Sequence, residues 1–354
     1  MSVRHGGDIY SFERDLIDFS SNINPLGPPA AVKKCLEGAE DNIVRYPDRE
    51  YRKLKEALAK KHGVKPEQIL PGNGAAELIY LLGRLFRGKK AVIPIPTFSE
   101  YAHVLKINDG LPIPVERRES ENFIPPLRTA AEKLRKADGI FLCRPNNPAG
   151  ELLSQKELDE LLPREESLII SDESFLDFMP CAEKKSLISR MGEHKNLAVL
   201  RSATKFYALP GLRLGYLVAR KELITELEKC QPPWSVNSIA CCVGRKIYDQ
   251  EDFQIKTKKW LRKEAAFLED SLGSITGLKI YSSRANFILA RLVSGSASIL
   301  RQRMAKKGLL IRDAASFSGL DHRYFRVAVK DRHQNQMLVD ALKETVARLL
   351  DNEE

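Results

Sequence analysis

The chain has 354 residues, 43% hydrophobic and 29% charged, an ordinary globular balance with enough length for a large core and a second, smaller lobe. No run of about twenty apolar residues is present, which argues against a membrane span, and residues 1–8 lack the apolar segment of a secretory signal. The formal net charge of +10 is interspersed with acids, as in Lys53-Leu54-Lys55-Glu56 and Arg262-Lys263-Glu264, and no basic arm or reader motif accompanies it, so small anions rather than nucleic acid are the expected partners.

After an irregular N-terminal arm, the pattern predicts a helix over 51–62, with Tyr51, Leu54, Ala57 and Leu58 on one side and Gly63 ending it. A second helix over 75–86 stops near Gly88. Strand 91–95, helix 99–107, strand 112–115, helix 127–136 and strand 139–143 follow. Helix 155–162 then precedes the nearly all-apolar strand 167–172, and further strands are expected at 197–200 and 214–219. Short strands hydrophobic on both sides, separated by helices, define an α/β fold with a mainly parallel sheet covered on both faces. From 237 to 272 the texture becomes one long helix; strands 286–292, 309–312 and 324–329 and a helix over 334–350 complete a smaller α+β lobe. The expected division is an arm over 1–30 that covers the site with the small domain, a large domain over 31–240 and a small C-terminal domain over 241–354. Of the six cysteines none forms a Cys-x-x-Cys pair, and Cys241 and Cys242 are adjacent, a poor pattern for a disulfide or for zinc. Reduced thiols in the cytoplasm, and no metal, are the expectation.

The most informative stretch is Ser202-Ala203-Thr204-Lys205, followed across a Gly/Pro-rich turn by Arg213. A lone lysine is ordinarily a solvated surface charge. This one lies between two apolar strands. Its amine suits a Schiff base with an aldehyde cofactor, with Ser202 and Arg213 holding a phosphate on the same molecule. Gly72-Asn73-Gly74-Ala75-Ala76-Glu77 opens a helix; it is no Walker loop, and either an ordinary helix start or a phosphate cup accounts for it.

Asp172 ends an apolar strand, where a carboxylate needs a partner. A structural cap or ion pair is one reading; pairing with a protonated ring nitrogen is the other. Arg144-Pro145-Asn146-Asn147-Pro148-Ala149-Gly150 follows another strand: a plain Pro/Asn/Gly turn is one reading, and a place on the rim where α/β sheets bind ligands, with Asn147 as a donor to a phenolic oxygen, is the other. Phe98 and Tyr101 follow a strand as well, either as core or with one stacking on an aromatic ring. Arg312 and Arg326 interrupt apolar strands of the small lobe; each alone reads equally as a solvent-facing residue, while the two together suit a substrate with anionic groups.

Together these residues resemble fold-type I pyridoxal-phosphate enzymes of the aminotransferase class, over essentially the whole chain. The resemblance implies pyridoxal 5′-phosphate as cofactor, Lys205 as the Schiff-base lysine, and Ala75, Ala76, Ser202, Thr204 and Arg213 as phosphate ligands. It assigns Asp172 to the pyridinium, Asn147 to the ring oxygen and Phe98 to ring stacking. Tyr46, in Arg45-Tyr46-Pro47, would reach the phosphate from a neighbouring subunit, which implies a homodimer.

Two families within the class compete: histidinol-phosphate aminotransferases and threonine-phosphate decarboxylases. The finer pattern is similar to the second. It comprises His5-Gly6-Gly7, Asp18-Phe19-Ser20-Ser21-Asn22-Ile23-Asn24-Pro25-Leu26-Gly27, Pro233-Trp234-Ser235-Val236-Asn237 and Gly319-Leu320-Asp321-His322. Asp172-Glu173-Ser174-Phe175 adds a discriminator, because aminotransferase relatives place a hydrogen-bonding tyrosine where Phe175 stands. The implied activity is decarboxylation of L-threonine O-3-phosphate to (R)-1-amino-2-propanol O-2-phosphate, a linker in cobalamin assembly. The implied catalytic residues are Lys205 and Asp172. Arg326, with Asn24 and Asn147, would take the substrate carboxylate, and Arg312 and His5 its phosphate, although the two arginines are interchangeable at this level. A non-catalytic effector fused to a DNA-binding domain is the third reading. No winged-helix segment precedes Met1, so an enzyme is expected.

Overall fold

The computed structural model describes residues 5–37, 39–162 and 166–350; the first four residues of the expected arm lie outside them. In chain order the first elements are β1 (Ile17–Asp18), α1 (Ala30–Leu36), α2 (Ala39–Ile43) and α3 (Arg52–His62), the last ending at Gly63 in the left-handed region, φ 65°. The large sheet is then laid down by β2 (Ile69–Asn73), β3 (Lys90–Ile95), β4 (Leu111–Glu116), β5 (Gly139–Cys143), β6 (Leu168–Asp172), β7 (Leu197–Ser202) and β8 (Leu214–Ala219). Between them run α4 (Gly74–Arg84), α5 (Glu100–Ile107), α6 (Leu127–Leu134), α7 (Gln155–Asp159) and α8 (Ala182–Lys185), and α9 (Lys221–Glu228) follows.

The seven strands lie in the order β2-β8-β7-β6-β5-β3-β4. Strand β8 runs antiparallel to both neighbours; every other pairing is parallel. The expected mainly parallel sheet is therefore present. Strands β5 to β8 are buried at nearly every position, as covering helices on both faces require. One face packs Leu78, Ile79, Leu82 and Val104 against Ile170, Leu200 and Leu217. The other carries Val92, Ile140, Ile169 and Val199 into a larger core that continues to the C-terminal elements.

The expected long helix over 237–272 is broken into α10 (Ser238–Gly244) and α11 (Glu251–Gly273). Gly244 stands where a Cβ would lie 2.7 Å from Leu54, so α10 is docked on α3 and departs from the line of α11. The small lobe follows as β9 (Leu278–Tyr281), β10 (Phe287–Leu292), α12 (Ala297–Lys306), β11 (Leu309–Leu310), β12 (Arg312–Asp313), β13 (Tyr324–Ala328) and α13 (Arg332–Leu350). Strands β12-β13-β10-β9 form an antiparallel sheet. The arm lies beside it: β1 and β11 form a separate two-stranded parallel sheet, and the Ala328 amide donates to the Phe19 carbonyl at 2.8 Å.

One expectation is overturned. Cys35 and Cys242 form a disulfide with Cα atoms 6.0 Å apart, so these two are not reduced thiols. Their sequence separation of 207 hides the pairing; only the docking of α1 on α10 brings them together. No helix among the described residues is long and apolar enough to cross a membrane.

Candidate active site

Because β2, β3, β5, β6 and β7 are mutually parallel, the segments leaving their carboxyl ends converge on one edge of the sheet. There they line a cavity of about 490 Å³. Ala75 and Ala76 reach it from the first turn of α4, Phe98 from the β3–α5 connection and Asn147 from the turn after β5. Asp172 ends β6, and Ser202, Thr204 and Lys205 follow β7. Arg213 enters just before β8, while His5, Arg312 and Arg326 approach from the arm and the small sheet. Twelve of the residues singled out in the sequence thus line one space.

Lys205 is half-buried and lies against the Phe175 ring, Nζ to centroid 5.4 Å. Burial lowers the amine below its ordinary value, the Asp172 and Cys143 charges oppose that fall, and Arg213 and Arg326 reinforce it. Its Nζ makes no hydrogen bond or ion pair among the described residues, leaving the amine for a ligand.

The side of the cavity lined by α4 and Arg213 depends on close backbone approach. Gly74 has φ +75°, and a Cβ there would lie 2.3 Å from Arg213 Nη2; a Cβ on Gly215 would lie 2.5 Å from the Ala75 amide. Arg213 itself is held at φ 60°, unusual for a residue with a side chain. No side chain caps the N-terminus of α4, so first-turn N–H groups stay available beside this guanidinium. Ser202 Oγ accepts from the Thr204 amide at 3.2 Å, which closes the turn and leaves the hydroxyl proton to donate.

Asp172 accepts at Oδ1 from the Ser174 amide, 2.9 Å, and at Oδ2 from the Tyr101 hydroxyl, 2.7 Å. Phe98 stands edge-on to Tyr101 with centroids 5.6 Å apart. Arg326 donates from Nη1 to Asn147 Oδ1 and from Nη2 to the Ser20 carbonyl at 2.9 Å, leaving the Asn147 amide hydrogens free to donate. Burial brings this guanidinium down to about 9, with the Arg312 charge adding to the fall. Arg312 donates to Ser316 Oγ at 2.7 Å and to the His5 carbonyl at 3.3 Å. The His5 ring contacts Glu100, Nε2 to Oε1 2.9 Å, and leans on Phe98.

Two expected site residues lie elsewhere. Asn24 is not in the cavity: its amide donates to the Phe206 carbonyl at 2.8 Å and to Thr257 Oγ1 at 3.0 Å, tying down the Lys205 loop from behind. Asn22, two residues earlier, lines the cavity instead, with its buried Oδ1 unpartnered. Tyr46 is 81% exposed, stacked on Trp234 with centroids 4.6 Å apart, and does not line this cavity.

Sequence reading also missed the support behind the site. Strand alternation sends Arg144, Glu173 and Arg201 to the side opposite Cys143, Asp172 and Ser202. Glu173, fully buried, accepts from Arg144 at 3.1 Å, Arg201 at 3.3 Å and Ser186 at 2.5 Å, clamping three strand ends together. Charged residues at the ends of apolar strands were the available signal.

A half-buried amine without a partner among the described residues, a carboxylate held between two donors, an uncapped helix start with an arginine beside it and a facing aromatic ring fit pyridoxal 5′-phosphate. Residues 14–342 match the family model for aminotransferase class I and II, and the chain belongs to that family. The chain is 37% identical over 347 residues to the threonine-phosphate decarboxylase of Salmonella typhimurium, covering 97% of this chain and 94% of that one. It is 41% identical over 342 residues to a protein of Caldanaerobacter subterraneus subsp. tengcongensis that carries the same activity in its name (96% and 93% covered). Among solved structures, histidinol-phosphate aminotransferase from Clostridium acetobutylicum superposes with TM-score 0.90 at 30% identity (94% and 100% covered). L-threonine-O-3-phosphate decarboxylase from Porphyromonas gingivalis superposes with TM-score 0.83 at 28% identity (93% and 99% covered).

Proposed function

We propose that this chain decarboxylates L-threonine O-3-phosphate to (R)-1-amino-2-propanol O-2-phosphate with pyridoxal 5′-phosphate as cofactor, the activity that the resemblance places in cobalamin assembly. When bound, the cofactor supplies an aldehyde for the Lys205 amine and a conjugated ring that accepts the electron pair of a bond broken at Cα. Ser202, Thr204, Arg213 and the Ala75 and Ala76 amides hold the cofactor phosphate, Phe98 stacks on its ring and Asn147 donates to the ring oxygen. Asp172 keeps a proton on the ring nitrogen.

Arg326 takes the substrate carboxylate, and Arg312 with His5 takes the substrate phosphate. With the carboxylate so held, the Cα–carboxylate bond is the one that would be oriented for cleavage. Carbon dioxide leaves, and the electron pair ends in a new C–H bond whose proton Lys205 delivers. Tyr46 serves the cofactor phosphate of a second copy, in a homodimer; its exposure and its absence from the lining of its own cavity support that reading.

The observation that carries the choice of reaction is Phe175, a buried ring against Lys205 with no hydroxyl to offer the ring oxygen. Purified protein with cofactor and threonine phosphate is expected to release carbon dioxide with no keto acid formed. Transamination of imidazole-acetol phosphate by glutamate is the second reading, favoured by the TM-score of 0.90 to an aminotransferase. Formation of histidinol phosphate at a useful rate, without carbon dioxide from threonine phosphate, would establish it instead. Borohydride reduction followed by peptide mapping is expected to label Lys205; a label on another lysine removes the basis of both readings.

A further inference from the structure

Tyr101 sits near the start of α5, wholly buried, with its ring stacked on Phe141 (centroids 5.3 Å apart, interplanar 22°) and edge-on to Phe98. Beyond these rings its hydroxyl meets two polar groups, the Asp172 carboxylate and the Cys143 thiol. Its hydroxyl donates to Asp172 Oδ2 at 2.7 Å, while the Ser174 amide holds Oδ1. Burial, reinforced by the Asp172 charge, pushes the phenol well above its ordinary range, so it stays a donor at any working pH. The other ionisable groups around this carboxylate are Cys143 at the end of β5 and Lys205 after β7, with Arg117 behind Tyr101 and Cys143, and Arg213 and Arg326 farther across the cavity.

We propose that Tyr101 is a positioning residue that fixes the plane of the Asp172 carboxylate and holds it as the anion, so that the proton between Asp172 and the cofactor ring nitrogen rests on the ring. The inference rests on pyridoxal phosphate occupying the cavity. A proton shared by a carboxylate and a pyridine nitrogen has two resting places, giving an ion pair or a neutral pair. A donor to the carboxylate lowers the energy of the ion pair alone, by about tenfold in the equilibrium for one hydrogen bond to a charged group. Only the charged ring is a strong electron acceptor, so Tyr101 acts on the reaction through Asp172 without touching substrate.

The test is Tyr101→Phe, which removes one oxygen and keeps the ring. A charged ring nitrogen lowers the proton affinity of the Lys205 nitrogen once that nitrogen is bonded to the cofactor. The pH midpoint of the cofactor-loaded protein's visible absorbance is therefore expected to move up by about one unit in the variant. The rate kcat is expected to fall about tenfold with KM changed less than about twofold. With a cofactor analogue that carries C–H in place of the ring nitrogen, wild type and variant are expected to coincide. An unmoved midpoint, or the same shift with the analogue, overturns the proposal. Should Tyr101→Phe fail to fold, 3-fluorotyrosine at position 101 supplies a stronger donor and must move the midpoint down; any other direction overturns the proposal. A wild type that shows no visible band with the cofactor overturns the cofactor reading and this one together, whereas an unmoved midpoint in a banded variant overturns this one alone.

Discussion

Arg326 on β13 and Asn147 after β5 meet across the cavity, the guanidinium Nη1 donating to the amide Oδ1. One side chain comes from the small sheet and the other from the large one, so the pair spans both. The guanidinium is buried above the Phe287 ring at 5.1 Å with its Nε unpartnered, and a substrate carboxylate would complete its hydrogen bonds.

Arg326→Gln is expected to lower kcat/KM for decarboxylation by about 100-fold or more, the loss of a charge-assisted pair. Product inhibition separates the two arginines. 1-Amino-2-propanol O-2-phosphate has no carboxylate, so its inhibition constant is expected to hold in Arg326→Gln and to rise in Arg312→Gln. The reverse pattern exchanges their roles.

Phe175 packs edge-on against Phe287 with centroids 5.1 Å apart and contacts Lys205. Phe175→Tyr places a hydroxyl where aminotransferases of this class carry one. A gain in keto acid per carbon dioxide released from threonine phosphate is expected. An unchanged ratio removes Phe175 from the choice of reaction.

Gly74→Ala combines an unfavourable backbone with a clash, since φ is +75° and the added carbon would lie 2.3 Å from Arg213 Nη2. Stability of the cofactor-free protein is expected to fall by about 1–2 kcal/mol. Cofactor dissociation, followed by absorbance on dilution, is expected to strengthen at least about tenfold in extent as Arg213 is displaced. Unaltered cofactor affinity would separate this glycine from the phosphate site.

Glu119 links the turn after β4 to the small sheet, accepting from Lys279 at 2.7 Å, Tyr281 at 2.6 Å, Tyr324 at 2.8 Å and Arg291 at 3.1 Å. Partial burial pushes its carboxyl up, but these donors outweigh it and hold it at about 2, below the ordinary 4.5. The folded state thus binds its proton less readily than the unfolded state. The stabilisation is present above 4.5 and is lost as pH falls towards 2. Glu119→Gln is expected to cost about 1–2 kcal/mol at pH 7, allowing for solvent screening, read as a drop of a few degrees in Tm. The difference from wild type should shrink as both are titrated from pH 5 to about 2. A gap independent of pH would assign the effect to packing.

Much of the site was legible because its strongest signals are local. Ser202, Lys205 and Arg213 sit within one strand–turn–strand passage, and their polarity between the apolar β7 and β8 marks them whatever the remainder of the chain does. Periodicity exposed most helices and strands for the same reason. Strand β2 escaped it, since Pro71 and Gly72 interrupt a segment that belongs at the sheet edge.

Long-range pairing is a different matter. Asn22 and Asn24 are equivalent in composition, yet one side chain lines the cavity and the other grips the Lys205 loop. Cys35 found Cys242 rather than any nearer thiol, and Tyr101 found Asp172 rather than the bare core. The amino-acid order determined that a lysine, a carboxylate and a glycine-rich helix start exist and which strands lead to them. Which side chains face each other across the sheet edge was decided only in three dimensions, because a hydrogen bond depends on ångström-scale placement of groups that sequence spacing leaves unspecified.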